Sequence, residues 1–393
     1  MAGERLELLL KEYRKRYKAA SRRKDKTAIL NEFCKLVKYH RKYAIRILGE
    51  EESCSKKSTV SRKRGVSYSR KSIEVIEYIW KKSDYPWSKR LKEMLPQWLP
   101  WVKKYITGIT PEIEQEVLSI SARQIDRRLA TKKRALKRKI YGRTKPGTLL
   151  KHHIPVKTDC WDVTEPGFTE IDLVSHSGPH ASGEFLHSMN ITDIQTGWVE
   201  TRVLMGKGQA GVTDALDDIQ KLLPFPLKGL DSDNGSEFIN YHLVDYCKKH
   251  DIQFTRGRPY MKNDNAHIEQ KNWTHVRQVF GWDRYDTREL QKSMNDLYTN
   301  ELSTMMNLFQ ASVKLVEKVR VGSKVTRRYD KAKTPLDRLI NCYGNEALPL
   351  PVQRLSEMRA NINPFELHDV IEQKLNGIDK LRRKKTTNNC SVI

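Results

Sequence analysis

Apolar residues in the first third of the chain recur at helical spacing between polar, proline or glycine breaks. Ala28-Ile-Leu-Asn-Glu-Phe-Cys-Lys-Leu-Val37 carries one such stripe. After the polar break Lys38-Tyr-His-Arg-Lys42, a second runs through Tyr43, Ala44, Ile47 and Leu48. Helix, tight turn, helix, with His40, Arg41 and Lys42 opening the second element, predicts a helix-turn-helix unit within residues 1–52. A basic, Ser-rich stretch at 53–69 reads as a linker. Helical patterns follow over 73–82 and 88–95, with prolines at 86, 96 and 100 expected to end them. Ser121-Ala-Arg-Gln124 has the spacing of a capping box, in which hydroxyl and amide satisfy each other's orphan backbone N–H groups. It follows a short acidic helix at 111–118 and opens one over 122–131, whose Ile125 and Leu129 share the inward face. Arg123, Gln124, Arg127 and Arg128 are left outward. Such groups read base edges or hold phosphates, and they also occur on ordinary charged helix faces.

Beyond a Lys/Arg-dense linker at 132–159, with Pro-Gly at 146–147, the pattern changes. Strands are expected at 168–174, 184–194 and 198–204, then a helix at 209–222, a strand at 227–231, a helix at 236–249, a strand at 252–255 and a helix at 265–280. Three sequential strands followed by alternating helix and strand imply a mixed α/β sheet. The expected architecture is therefore multidomain. A helix-turn-helix unit (1–52) and helical DNA-binding units (70–131) precede an α/β core (160–285), and a small accessory domain of unspecified fold occupies 286–393.

Charge sharpens this division. The 393 residues carry a net +25, but residues 1–150 hold 40 Lys+Arg against 16 Asp+Glu, whereas 151–290 hold 15 against 21. A basic segment joined to an acidic one points to a polyanion partner, since each neutralised phosphate releases condensed counterions. DNA and RNA remain open on charge alone. The six cysteines, at 34, 54, 160, 247, 342 and 390, form neither a disulfide framework nor a zinc-ligand spacing. No run of 18 apolar residues and no apolar signal core appear, so a cytoplasmic, nucleoid-associated protein without a membrane partner is expected.

Three carboxylates fall at element ends. Asp172 lies in the first expected strand of the core, Asp233 stands where the fourth stops, within Asp233-Asn-Gly-Ser-Glu-Phe238, and Glu269 sits about one turn inside a helix. Carboxylates from two strands and one helix, meeting in space, suit a pair of hard divalent cations. Thirty-five residues separate Asp233 from Glu269. With Glu-Ile-Asp-Leu-Val-Ser-His-Ser-Gly178, Thr-Asp-Ile-Gln-Thr-Gly-Trp198 and Arg-Pro-Tyr-Met-Lys-Asn-Asp-Asn-Ala-His-Ile-Glu-Gln-Lys-Asn272, this spacing resembles the integrase core shared by retroviral integrases and insertion-sequence transposases. The retroviral His/Cys zinc module is absent. The resemblance implies a ribonuclease H-like fold and an Asp172, Asp233, Glu269 triad holding Mg2+ or Mn2+, two per site. It also implies a transposase that binds transposon ends, cleaves phosphodiesters and joins the 3′-hydroxyls to target DNA as a homo-oligomer.

Neighbouring residues compete for some of these roles. Asp231 projects from the same strand face as Asp233 and is a rival ligand, although the Asp-Asn-Gly motif and the spacing favour Asp233. Glu170 shares a face with Asp172 and reads as a supporting or surface group, and Asp193 as turn chemistry. His176 contacts either substrate or loop backbone, and Trp198 and Trp273 read as core rather than base-stacking platforms. Arg256, Arg258, Lys262 and Lys271 surround the third carboxylate and either hold a DNA phosphate or form a solvated rim. A nuclease of the same fold without strand joining, and a domesticated regulator that only binds DNA, are the alternative functions.

Overall fold

The computed structural model describes residues 2–49, 68–141, 163–179, 182–206, 208–232, 241–256, 266–321, 324–344 and 346–390. They form two compact units, Met1–Ser67 and Tyr68–Ile393. The first contains α1 (Ala2–Ala19), α2 (Arg23–Val37) and α3 (Arg41–Gly49). Lys38, in the left-handed region at φ 54°, ends α2 and sets the turn into α3. Leu30 and Phe33 of α2 meet Ala44, Ile47 and Leu48 of α3, and Tyr13 of α1 closes this small core. The Tyr13 hydroxyl donates to Glu32 Oε1 at 2.7 Å, and Arg16 pairs with the same carboxylate at 3.0 Å. The sequence pattern did not reveal α1.

The second unit opens with α4 (Arg70–Lys82), α5 (Ser88–Val102), α6 (Pro111–Ser119) and α7 (Ala122–Tyr141). Prolines 96 and 100 do not end α5, contrary to expectation. Both lie on its exposed face. The opposite face buries Leu91, Met94, Leu95, Trp98, Leu99 and Val102. At roughly 1.5–3 kcal/mol per large side chain, that burial outweighs about 3 kcal/mol per interior proline. Helix α7 starts at the capping site, where Ser121 Oγ accepts from the Gln124 backbone N–H at 3.3 Å. It continues ten residues past 131, into the stretch expected to be linker. Charge pairs hold this extension, Lys132 with Glu77 and Lys133 with Asp126, the latter at 2.6 Å.

Five strands then form one mixed sheet in the order β3-β2-β1-β4-β5: β1 (Phe168–Ser175), β2 (Leu186–Asp193), β3 (Val199–Met205), β4 (Gly229–Ser232) and β5 (Gln253–Arg256). β1 pairs antiparallel with β2 and parallel with β4, and so occupies the centre. Alternation sorts the side chains by face. Ile171, Met189, Ile191, Leu204 and Leu230 pack against α8 (Gln209–Leu222) and α9 (Tyr241–Lys249). The other face carries the polar cross-strand row Asp172, Asn190, Thr201.

Helices cover that polar face. α10 (Ala266–Lys271) runs through a π-helical segment, Asn272–Arg277, into α11 (Gln278–Phe280). α12 (Arg288–Leu297) and two further π segments, Tyr298–Leu302 and Met305–Phe309, follow. They also seal the edge strand. Asn307 accepts from the Val199 N–H at 3.0 Å and donates to its carbonyl at 2.9 Å, and Asn295 does the same at Val203 (2.7 and 2.9 Å). Two side-chain amides thus replace a missing neighbouring strand. Residues 312–390 add the hairpin β6 (Leu315–Val321)/β7 (Lys324–Tyr329), α13 (Pro335–Cys342) with a Thr334/Asp337 capping box, α14 (Leu350–Asn361) and α15 (Pro364–Cys390). Packing crosses residue 285 without a break: Ile79, Trp98, Phe280, Leu290, Phe309 and Phe365 belong to one buried cluster. Among the described residues no helix is long and apolar enough to cross a membrane.

Candidate active site

Asp172 lies half-buried on the central strand, and its carboxylate is oriented by two donors. Oδ1 accepts from the Leu173 backbone N–H at 2.7 Å, and Oδ2 accepts from Asn272 Nδ2 at 2.6 Å. Asn272 is itself fixed. Its Oδ1 accepts from Asn190 Nδ2 at 2.6 Å, and Asn190 Oδ1 accepts from Thr201 Oγ1 at 2.5 Å. Each amide uses its oxygen as acceptor and its nitrogen as donor, so the relay has one direction, from the edge strand to the carboxylate. Asn272 opens the π segment, where the wider turn re-aims successive side chains.

Glu170, two residues earlier on the same face, is buried, and its Oε2 accepts from the Ile268 backbone N–H at 2.7 Å. A carboxylate at one of the orphan N–H groups of the first turn both caps α10 and complements its dipole. Glu170 and Asp172 therefore grip the same helix, before and after Glu269. The backbone of Glu269 lies in α10 between those two attachments. Sequence reasoning took Glu170 for a supporting or surface group without its bond to α10, and it missed Asn272, although Asn272 stands three residues after Glu269, one turn along the helix.

Asp233 lies outside the described residues. It follows Ser232, the last residue of β4, whose register partner is Ile171, the residue before Asp172. Asp231 is buried, pairs in register with Glu170 and accepts from Thr255 Oγ1 at 2.7 Å. Asp193 holds its turn, accepting from Thr196 N at 2.7 Å, Thr196 Oγ1 at 2.6 Å and Gly167 N at 2.8 Å. Burial pushes its carboxyl up, and these donors pull it back.

Of the basic candidates, Arg123, Arg127 and Arg128 are exposed on α7 and Gln124 is half-buried beside them. Arg256 ends β5, while Arg258 and Lys262 lie outside the described residues. Lys271 differs from the expected open cation. Its ammonium lies against Gly197, 3.8 Å from where a Cβ there would sit. Desolvation, with Arg90 and Arg338 nearby, lowers its pKa to about 7. Those two arginines hold the adjacent carbonyls of Ala311 and Ser312. Lys271 thus packs inward, because the turn of α10 that carries it faces the β2–β3 turn.

His176 is fully buried. One ring nitrogen, Nε2, bonds Ser188 Oγ at 2.7 Å, and the ring meets the edges of Phe280 and Tyr285. Desolvation, aided by Arg277 and His187, lowers its pKa to about 3 and keeps it neutral. Trp198 is core, its Nε1 donating to Glu200 at 3.0 Å, whereas Trp273 is 50% exposed. The expectation of core for Trp273 is corrected: the residue borders a groove of 420 Å³ with Leu173, Val174, Ser175, Asn272 and Arg277.

No family model matches the chain. The HTLV-2 integrase catalytic core domain, solved in complex with magnesium as a dimeric form, is 16% identical. The match covers 38% of this chain and 91% of that one at a TM-score of 0.28, a superposition too loose to assign fold or chemistry. An uncharacterized protein, y4rM of Sinorhizobium fredii, is 36% identical over 337 residues, spanning 85% of this chain and 94% of its own length. The chain belongs to the same protein family as y4rM.

Proposed function

We propose that the chain is a metal-dependent DNA transposase whose Asp172, Asp233 and Glu269 cleave phosphodiesters at element ends and join the resulting 3′-hydroxyls to target DNA. The observation that carries this reading is the double attachment of α10. Glu170 binds its first turn and Asp172 binds Asn272 just beyond it, so the segment bearing Glu269 is pinned over the strand bearing Asp172. Ser232, which precedes Asp233 in the sequence, pairs in register with Ile171 of that same strand. The central position of β1 in a mixed sheet supports the ribonuclease H-like reading of the motifs.

The donor set suits hard divalent cations, since every acid in question offers carboxylate oxygen. Two Mg2+ or Mn2+ ions, held by Asp172, Asp233 and Glu269, would supply electrostatic stabilisation of the attacking and leaving oxygens. The protein's own part is positioning. Asn272 fixes the rotamer of Asp172, Glu170 fixes the start of α10, and the apolar face of the sheet keeps β1 and β4 in register. The helices of residues 1–52 and 70–131 would recognise the ends, with Arg123, Gln124, Arg127 and Arg128 on the candidate reading helix, and Arg256, Arg258 and Lys262 would hold phosphates near the site. Concerted joining of two ends calls for a homo-oligomer acting on chromosomal DNA in the cytoplasm.

The test is strand joining. A pre-cleaved end with a free 3′-hydroxyl, given the full-length protein, Mg2+ and a plasmid, should become covalently linked to the plasmid. Cutting of the ends with no joined product, in Mn2+ as well as Mg2+, would reduce the function to that of a nuclease.

A further inference from the structure

The groove beside Asp172 has a chemistry that the triad does not use. Its floor is the strand segment Leu173, Val174, Ser175, and its helical wall is Asn272, Trp273 and Arg277. Along that wall Trp273 is half exposed, Arg277 follows four residues on, and the Arg277 guanidinium lies over the Trp282 ring at 4.0 Å from its centroid. Trp282 is 61% exposed. A large indole left in water forgoes a sizeable burial energy, and two on one ridge mark a surface that expects a flat apolar partner. Arg277 is held in place by its bonds to the Ser175 carbonyl at 2.9 Å and the Gly281 carbonyl at 3.3 Å. Its plane is thereby fixed as part of the ridge.

We propose that this groove binds unpaired nucleotides of the DNA, with a base stacked on Trp273 next to the phosphodiester that Asp172 addresses. The inference rests on the catalytic reading for its choice of DNA. Charge and shape agree with that occupant. The ridge offers two indoles with a guanidinium between them in sequence, and among the described residues the groove's lining holds no carboxylate. Stacking on exposed aromatics and arginine is how proteins hold single strands irrespective of sequence, because every base has a π face. Duplex DNA buries those faces, so the groove selects frayed or single-stranded ends. Asn272 gives the coupling: it binds Asp172 and adjoins Trp273 in the chain, so a base on the indole lies one residue from the group that positions the carboxylate.

The experiment uses full-length protein in EDTA, so that binding is read without cleavage. A duplex with a short single-stranded overhang containing 2-aminopurine should lose fluorescence on binding. Trp273→Ala should weaken overhang and single-strand binding by roughly tenfold or more, whereas Trp273→Phe retains most of it and both bind blunt duplex like the parent. In the unaltered protein, ultraviolet cross-linking of a 5-iodouracil oligonucleotide should mark the tryptic peptide Asn272–Arg277. Cross-links confined to other peptides, or single-strand binding by Trp273→Ala equal to that of the parent, would overturn the proposal. If Trp273→Ala fails to fold, the cross-link decides alone. Residual cleavage by Asp172→Asn in Mg2+ would remove the catalytic reading and leave the stacking result standing, so the two failures are distinguishable.

Discussion

Asn272 donates its side-chain amide to Asp172 Oδ2 at 2.6 Å across 100 residues of chain, and this bond ends a relay that starts at Thr201. Removing the amide frees the carboxylate to rotate without removing it. Asn272→Ala is expected to lower the cleavage rate about 10- to 100-fold, as loss of groups that orient metal ligands does. The Mg2+ concentration for half-maximal rate should rise while blunt-duplex affinity stays the same. An unchanged metal requirement would show that Asn272 only packs.

Asn307 takes the place of a sixth strand for Val199. Asn307→Leu fills the space but leaves a buried N–H and carbonyl unpaired, at about 1–3 kcal/mol for each such group. Urea unfolding should show a loss of at least about 2 kcal/mol on that basis. A loss within error would mean that water satisfies the strand edge.

His176 supplies a pH dependence with a definite sign. Its pKa is near 3 in the fold, below the unfolded value of 6.5, so the unfolded chain binds the extra proton between these limits. The stability from neutral His176 is complete above pH 6.5 and is lost as pH falls toward 3. Comparing urea midpoints of the parent and His176→Gln at pH 7 and pH 4.5 tests this, because the gap between them should narrow at the lower pH. A constant gap would contradict a neutral buried imidazole.

Arg127 and Arg128 project from α7 while Ile125 and Leu129 anchor it. Arg127→Ala and Arg128→Ala should weaken DNA binding without altering the melting temperature. A flatter dependence of affinity on salt identifies phosphate contacts, and relaxed sequence preference identifies base reading. Unchanged affinity for both variants at low salt would remove α7 from the interface.

The strands of the core were legible as short runs rich in β-branched and apolar residues between turn signals, as along Phe168–Ser175, and the helix at Gln209–Leu222 was read to the residue. Boundaries failed where tertiary packing outvoted local signals. Prolines 96 and 100 looked like stops, yet the large apolar side chains buried from Leu91 to Val102 are together worth more than the lost backbone bonds cost. The Lys/Arg run after Thr131 looked like linker, but Glu77 and Asp126 neutralise its first lysines and let α7 continue. The hairpin of β6 and β7 was missed because its strands interleave cations with apolar residues. At the site, the acids could be named from spacing, whereas the grip of Glu170 on Ile268 and of Asn272 on Asp172 depends on where a helix lands on a sheet. The π segment, which fixes that landing, has no sequence signature.

The central claim is that Asp172, Asp233 and Glu269 act as one metal-holding set, and cleavage of element-end DNA in Mg2+ by single variants reads it most directly. Asp172→Asn, Asp233→Asn and Glu269→Gln should each abolish cutting while end binding and the melting temperature stay near those of the parent. Asp231→Asn, which alters a buried carboxylate bonded to Thr255, should keep most of its activity. Cleavage persisting in any of the three, or lost in Asp231→Asn and kept in Asp233→Asn, would contradict the assignment.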